Sequence, residues 1–94
     1  MNYIQQDAEL IRSLVAPEVD IPDGAETLFL LYAVLLRSKG VAVTSEDVHD
    51  AWAAWETMRQ PTHSSIVPYS DLDEAVQRED APFVTAIRLA ATRK

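Results

Sequence analysis

His49, Trp52, Trp55, His63 and Tyr69 form the one stretch of this chain where side chains that stack, donate and accept hydrogen bonds are concentrated. Such a group has two uses. In one, the tryptophans anchor a core, the Pro68-Tyr69 loop packs on them and the imidazoles make hydrogen bonds. In the other, the rings form an aromatic wall rimmed by imidazole and hydroxyl groups, which is a pocket for a planar or nucleotide-derived ligand. Catalysis has a weaker basis. Ser64 and Ser65 adjoin His63, but an activated nucleophile needs a base and an orienting acid in space, and no nucleophile-elbow motif surrounds them. No catalytic residue is therefore assigned. His49 with Glu46 and Asp50 spans one helical turn without a second histidine at the i+4 position. A salt-bridged or solvated helix face is the simpler fate of that trio. The chain has only two glycines, Gly24 and Gly40, and so lacks a phosphate-cradling loop. The expectation is of no metal site and no cofactor.

The elements that must hold these residues are helices. Ile4, Ala8, Ile11 and Val15 recur at helical spacing and predict a helix over 3–15. Pro17 and Pro22 end it, and Val19 and Ile21 are available to pin the connector to a core. A second helix, 24–39, is predicted to begin with Asp23 and Glu26 as a capping box and to stop at Gly40 after Arg37 and Lys39. Its run Leu28 to Leu36 is apolar on nearly every face, which makes it the central helix. Any face left uncovered would call for a second copy or a partner. Val41-Ala42-Val43 reads as an extended connector, after which Thr44 caps a helix over 45–59 carrying Glu46 and Asp47 in its first turn. A loop with Pro61 and Pro68 leads to a helix over 71–79, opened by Ser70 with Asp73 at capping-box spacing. Asp80 is placed as the cap of a last helix, 81–92, with Pro82 in its first turn and Phe83, Val84, Ile87, Leu89 and Ala90 as apolar surface. The fold class is all-α, a compact bundle of about five helices in a single domain over 1–94.

Composition narrows the function classes. With 48% hydrophobic and 24% charged residues the chain has globular composition. Fifteen acidic residues against 8 basic ones give a net charge of -7. A phosphate backbone needs clustered Lys and Arg, so nucleic acid is not expected as a partner. The simplest role of the acidity is solubility. No cysteine is present, which fits a reducing cytoplasm. The N-terminal residues Met1 to Asp7 do not have the basic and then apolar pattern of a signal peptide. The nine-residue run Leu28 to Leu36 is well short of the roughly 20 needed to cross a bilayer.

From Val48 to Phe83, the order His49-Asp50-Ala51-Trp52, then His63-Ser64-Ser65-Ile66-Val67-Pro68-Tyr69-Ser70-Asp71-Leu72, then Gln77-Arg78-Glu79-Asp80, resembles the ryanodine-receptor-type (RyR) repeat. Its most specific part is Val67-Pro68-Tyr69-x-x-Leu72 with the spacing to Asp80. The resemblance implies a ligand-sensing or interaction domain rather than an enzyme. It transfers groove-shaping roles to His49, Trp52, His63, Pro68, Tyr69 and Asp80. Ser64 stands where the family has proline, and the segment between Arg59 and His63 is shorter than the family's basic arm. Because receptor repeats pair and this chain holds one copy, the resemblance brings homodimerisation into play. The whole chain also looks like small proteins of actinobacteria and their phages.

The expected function is a non-enzymatic protein-interaction or regulatory module, of the kind a phage would direct at a host protein in the host cytoplasm. The alternative is a sensor of a small, nucleotide-derived molecule. In either reading the binding residues are His49, Trp52, Trp55, His63, Pro68, Tyr69 and Asp80. A third reading, an acidic mimic of nucleic acid, rests on Asp71, Asp73, Glu74, Glu79 and Asp80, whose carboxylates also suit helix N-termini and a solvated face.

Overall fold

A computed structural model describes residues 1–94. The chain is all-helical: α1 (Tyr3–Leu14), α2 (Glu26–Lys39), α3 (Ser45–Arg59), the single turn α4 (Glu74–Gln77) and α5 (Ala81–Arg93). Short 3-10 turns at Gly40–Ala42, Tyr69–Asp71 and Arg78–Asp80 join them. None of the helices is long and apolar enough to cross a membrane.

α1 begins at a capping box. The Gln5 amide donates to the Asn2 side chain at 2.8 Å, and the Asn2 amide donates back to the Gln5 side chain at 3.0 Å. Its apolar stripe puts Ala8, Ile11 and Val15 in the core, with Ile4 packed at the edge. On the same stripe lies Asp7, which the apolar periodicity passes over. It is buried and accepts from Arg37 Nε and Lys94 Nζ, each at 2.6 Å, so one carboxylate ties α1 to the ends of α2 and the chain. Those two partners hold its carboxyl below the ordinary range although burial pushes the other way and is the largest single influence.

α2 is central, packing against α1, α3 and α5. Its start differs from the expected one. Gly24 turns the chain with φ +72, so the cap position falls to the fully buried Ala25, which makes no side-chain cap bond, and Asp23 stays outside the helix. The other end is as expected: Gly40, at φ +55, donates its N–H to the carbonyls of Leu35 and Leu36. Leu28, Phe29, Tyr32, Ala33 and Leu36 are buried and Leu30, Leu31 and Leu35 pack at the edge of the core. Within the apolar run only Val34 is exposed, at 52%.

Of the connector 41–43 expected to be extended, only Val43 is, with ψ 141; Val41 and Ala42 are not. A 3-10 turn over Gly40–Ala42 drops Val43 into the core, and Arg88 of α5 donates to the Val43 carbonyl through Nε (3.0 Å) and Nη2 (2.7 Å). Thr44 caps α3 as expected, and Asp47 completes that box by accepting from the Thr44 amide at 2.9 Å. Lys39 closes the corner with an ion pair to Asp47 at 2.7 Å.

The helix expected over 71–79 is broken. Leu72 and Asp73 are extended, with ψ 148 and ψ 150, because the chain first turns tightly over Tyr69–Asp71, and Gln77 Nε2 then donates back to the Tyr69 carbonyl at 2.9 Å. Ser70 and Asp73 make no capping box. Asp80 does not cap α5 either, since Arg78–Asp80 runs into α5 with helical dihedrals and the carboxylate is left without a backbone partner. In α5, Val84, Ala86, Ile87 and Ala90 are buried and Leu89 is 40% exposed, turned out of the core.

Candidate functional site

Where the broken 69–80 segment passes over α2 and α3, a cleft of about 450 Å³ remains. That volume falls within the roughly 300–1,000 Å³ of small-molecule pockets. One wall is Trp52 of α3 with His49 a turn earlier. The two rings stack at 5.6 Å and 26°, and His63 from the loop meets Trp52 edge-on at 5.1 Å. Pro82 and Phe83 of α5, Val76 of α4 and Val19 and Pro22 of the connector line the cleft as well. Leu28 and Tyr32 of α2 form the floor.

The polar groups of the cleft are of unusual kind. His49 is 3% exposed, and its Nε2 lies 2.7 Å from the Val67 carbonyl. A carbonyl only accepts, so Nε2 carries the proton, and in the neutral ring Nδ1 keeps its lone pair. No group of the chain bonds that nitrogen. Tyr32 is 1% exposed and its hydroxyl also bonds nothing in the chain. No fully buried side-chain polar atom lacks a partner, so both atoms keep a little solvent contact, and both residues line the cleft. Asp80, half-buried at the rim, has no hydrogen bond and no ion pair. Burial pushes its carboxyl up to about 6 against the lowering effect of His49, and Glu79 adds to the rise. The Tyr32 hydroxyl is raised in turn, first by burial and then by the Asp80 charge.

Of the residues expected to bind, His49, Trp52, His63 and Asp80 come together here. Tyr69 stands beside His49, with rings 6.1 Å apart, and Pro68 is exposed ahead of the 3-10 turn; neither lines the cleft. Trp55 is placed elsewhere. It is 1% exposed in the core, donates its indole N–H to Thr27 Oγ1 at 2.8 Å, and carries the Arg59 guanidinium 4.1 Å from its ring centre. Residue types within the local stretch said nothing of Tyr32 or Phe83, which arrive from distant helices. One signal was present, a lone hydroxyl in the apolar run Leu28 to Leu36.

The serines beside His63 do not meet its ring as nucleophiles. The Ser65 backbone N–H donates to His63 Nδ1 at 3.0 Å, which turns the imidazole into a fastening for its own loop. No three His, Asp or Glu side chains approach closely enough to hold a metal ion. Glu79 and Asp80, the last of the acidic series from 71 to 80, line the cleft.

The comparisons give a family without a function. The model of a domain of unknown function, DUF7701, matches residues 2–92. No curated protein and no solved structure matches the chain.

Proposed function

For this chain, which belongs to the DUF7701 family of domains of unknown function, we propose a binding role without catalysis, centred on the Trp52 cleft and directed at a small planar ligand. The observation that carries this reading is the pair of unpartnered polar atoms, Tyr32 Oη and His49 Nδ1, on two buried side chains that line a cleft whose walls are otherwise largely aromatic and aliphatic. Little solvent reaches these two side chains, and a ligand group in the cleft would pair both atoms. Four residues carried over from the RyR-type resemblance, His49, Trp52, His63 and Asp80, line the same cleft, which supports the ligand-sensing side of that resemblance.

Docking of a protein partner or a second copy on α2 has less support. Every apolar side chain from Leu28 to Leu36 except Val34 is packed within the chain itself. A regulatory role would instead run through the ligand. His49 holds the Val67 carbonyl, so a group that engages the other ring nitrogen acts on the loop that carries Pro68 and Tyr69.

A fragment titration followed by the two indole N–H resonances tests the reading. Trp55, hydrogen-bonded in the core, is the internal control. Planar fragments that bind the cleft shift the Trp52 signal and leave Trp55 in place. If a broad fragment set leaves Trp52 unmoved, the cleft is not a binding site.

A further inference from the structure

The charge of the cleft restricts what it can hold. Asp20, Glu79 and Asp80 reach it from the connector and from the turn before α5, and no Lys or Arg lines it. Neither carboxylate of that turn is neutralised by an ion pair within the chain. Phosphate and carboxylate groups would therefore enter against like charge with no cation to receive them. The hydrogen-bonding groups lean the same way. Carboxylates only accept, the His49 ring in its uncharged form offers a lone pair at Nδ1, and the Tyr32 hydroxyl can accept as well as donate. The site has a surplus of acceptors over donors, next to an indole that attracts cations.

Resting on the cleft reading above, the geometry points to a planar organic cation rich in N–H donors, of amidinium or guanidinium type, as the ligand class, with Asp80 as its counter-charge and Trp52 as its flat wall. An amidinium presents two parallel N–H groups, which match the two oxygens of one carboxylate. Its ring is left to lie among Trp52, Phe83 and Leu28. The desolvated Asp80 carboxyl, pushed up to about 6, is stabilised as an anion when such a cation arrives. Affinity should therefore rise with pH through that region. The other titratable groups facing Asp80 are His49 of α3, His63 of the following loop, Tyr32 of α2, Asp20 of the connector and its own neighbour Glu79.

Three probes of one shape and different charge provide the test: benzamidine as the cation, benzamide as the neutral isostere and benzoate as the anion. Each is titrated at pH 8 against the full chain while the Trp52 indole N–H is followed. Benzamidine is expected to bind at least tenfold more tightly than benzamide, with benzoate the weakest. Asp80→Asn should remove that tenfold preference and leave benzamide within about twofold of its wild-type affinity, and Glu79→Gln should reduce the preference less. Wild-type affinity for benzamidine should fall several-fold from pH 8 to pH 5, and the fall should be smaller in Asp80→Asn. Benzamide or benzoate binding as tightly as benzamidine would overturn the cation class while the cleft reading stands. Silence of Trp52 toward all three also overturns it, and the cleft reading then falls only if the broad fragment set is silent too. Benzamidine preference that persists unchanged in Asp80→Asn removes Asp80 from the proposal.

Discussion

Asp7 and Asp80 are the same residue in two regions built on different terms. On the side where α1 packs against α2 and α5, Asp7 is buried and receives two cations at 2.6 Å each, which hold its carboxyl low. On the cleft side, Asp80 is half-buried, receives none, and its carboxyl is pushed up to about 6. Trp55 and Trp52 repeat the contrast on a single helix. The first is enclosed with its indole N–H satisfied; the second is partly buried between two imidazoles at the cleft wall. A group whose partners are supplied within the chain contributes to holding the fold. A group left desolvated without a partner costs stability and persists most readily where something else can supply the partner.

The most severe way to break the contrast is Trp55→Ala. It should cost about 3–5 kcal/mol, read as a drop in denaturant midpoint with unchanged slope, because it opens a core cavity and removes the indole bond to Thr27. A loss under about 1 kcal/mol would show that the two tryptophans are not of different kinds. Asp7→Asn should cost about 2 kcal/mol at neutral pH by removing charge-assisted hydrogen bonds. The pH dependence gives the sign. Because the folded carboxyl lies below its ordinary value of 3.8, its stabilisation is present above that value and is lost as pH falls through the folded one. Acid unfolding of Asp7→Asn should lack that limb.

Trp52→Ala removes a partly buried ring and should cost about 1–2 kcal/mol, less than Trp55→Ala. It should nonetheless abolish fragment binding at the cleft by calorimetry, whereas retained binding would place the site elsewhere. The smallest effect is expected from Asp80→Asn, and its sign is opposite. A carboxyl raised in the folded state destabilises when ionised, so at pH 8 the amide should stabilise the fold against thermal unfolding, by less than about 1 kcal/mol given its solvent contact. That gain should shrink as pH falls through about 6 and the wild-type carboxyl becomes protonated. A loss of stability at pH 8 would mean that Asp80 has an internal partner after all.

Much of the helical frame was legible in the chain because it depends on local spacing. The stripe Ile4, Ala8, Ile11, Val15, the apolar run of α2, the Gly40 stop and the Thr44 cap are all set within a few residues and all appear in the fold. Local signals misled where two of them competed. Asp23 and Glu26 have capping-box spacing, yet Gly24 between them takes a positive φ and moves the helix start to Glu26. Ser70 and Asp73 have it too, but the tight turn after Pro68 and the Gln77 bond to the Tyr69 carbonyl left a single helical turn in place of a nine-residue helix.

The site was half legible. His49, Trp52 and His63 share one stretch of sequence, and the reading of that stretch as either core or pocket divides in the fold at one helical turn, with Trp55 in the core and Trp52 at the cleft. By itself the sequence determined an all-helical chain, the identity of the central helix and the place where its aromatic and imidazole groups gather, since these follow from periodicity and composition. Only the tertiary structure decided which polar atoms find partners. Arg37 and Lys94 reach Asp7 from 30 and 87 residues away, while Tyr32 arrives from α2 beneath Asp80 with nothing to pair either group. Pairing across such separations depends on how helices cross, and no local pattern records it.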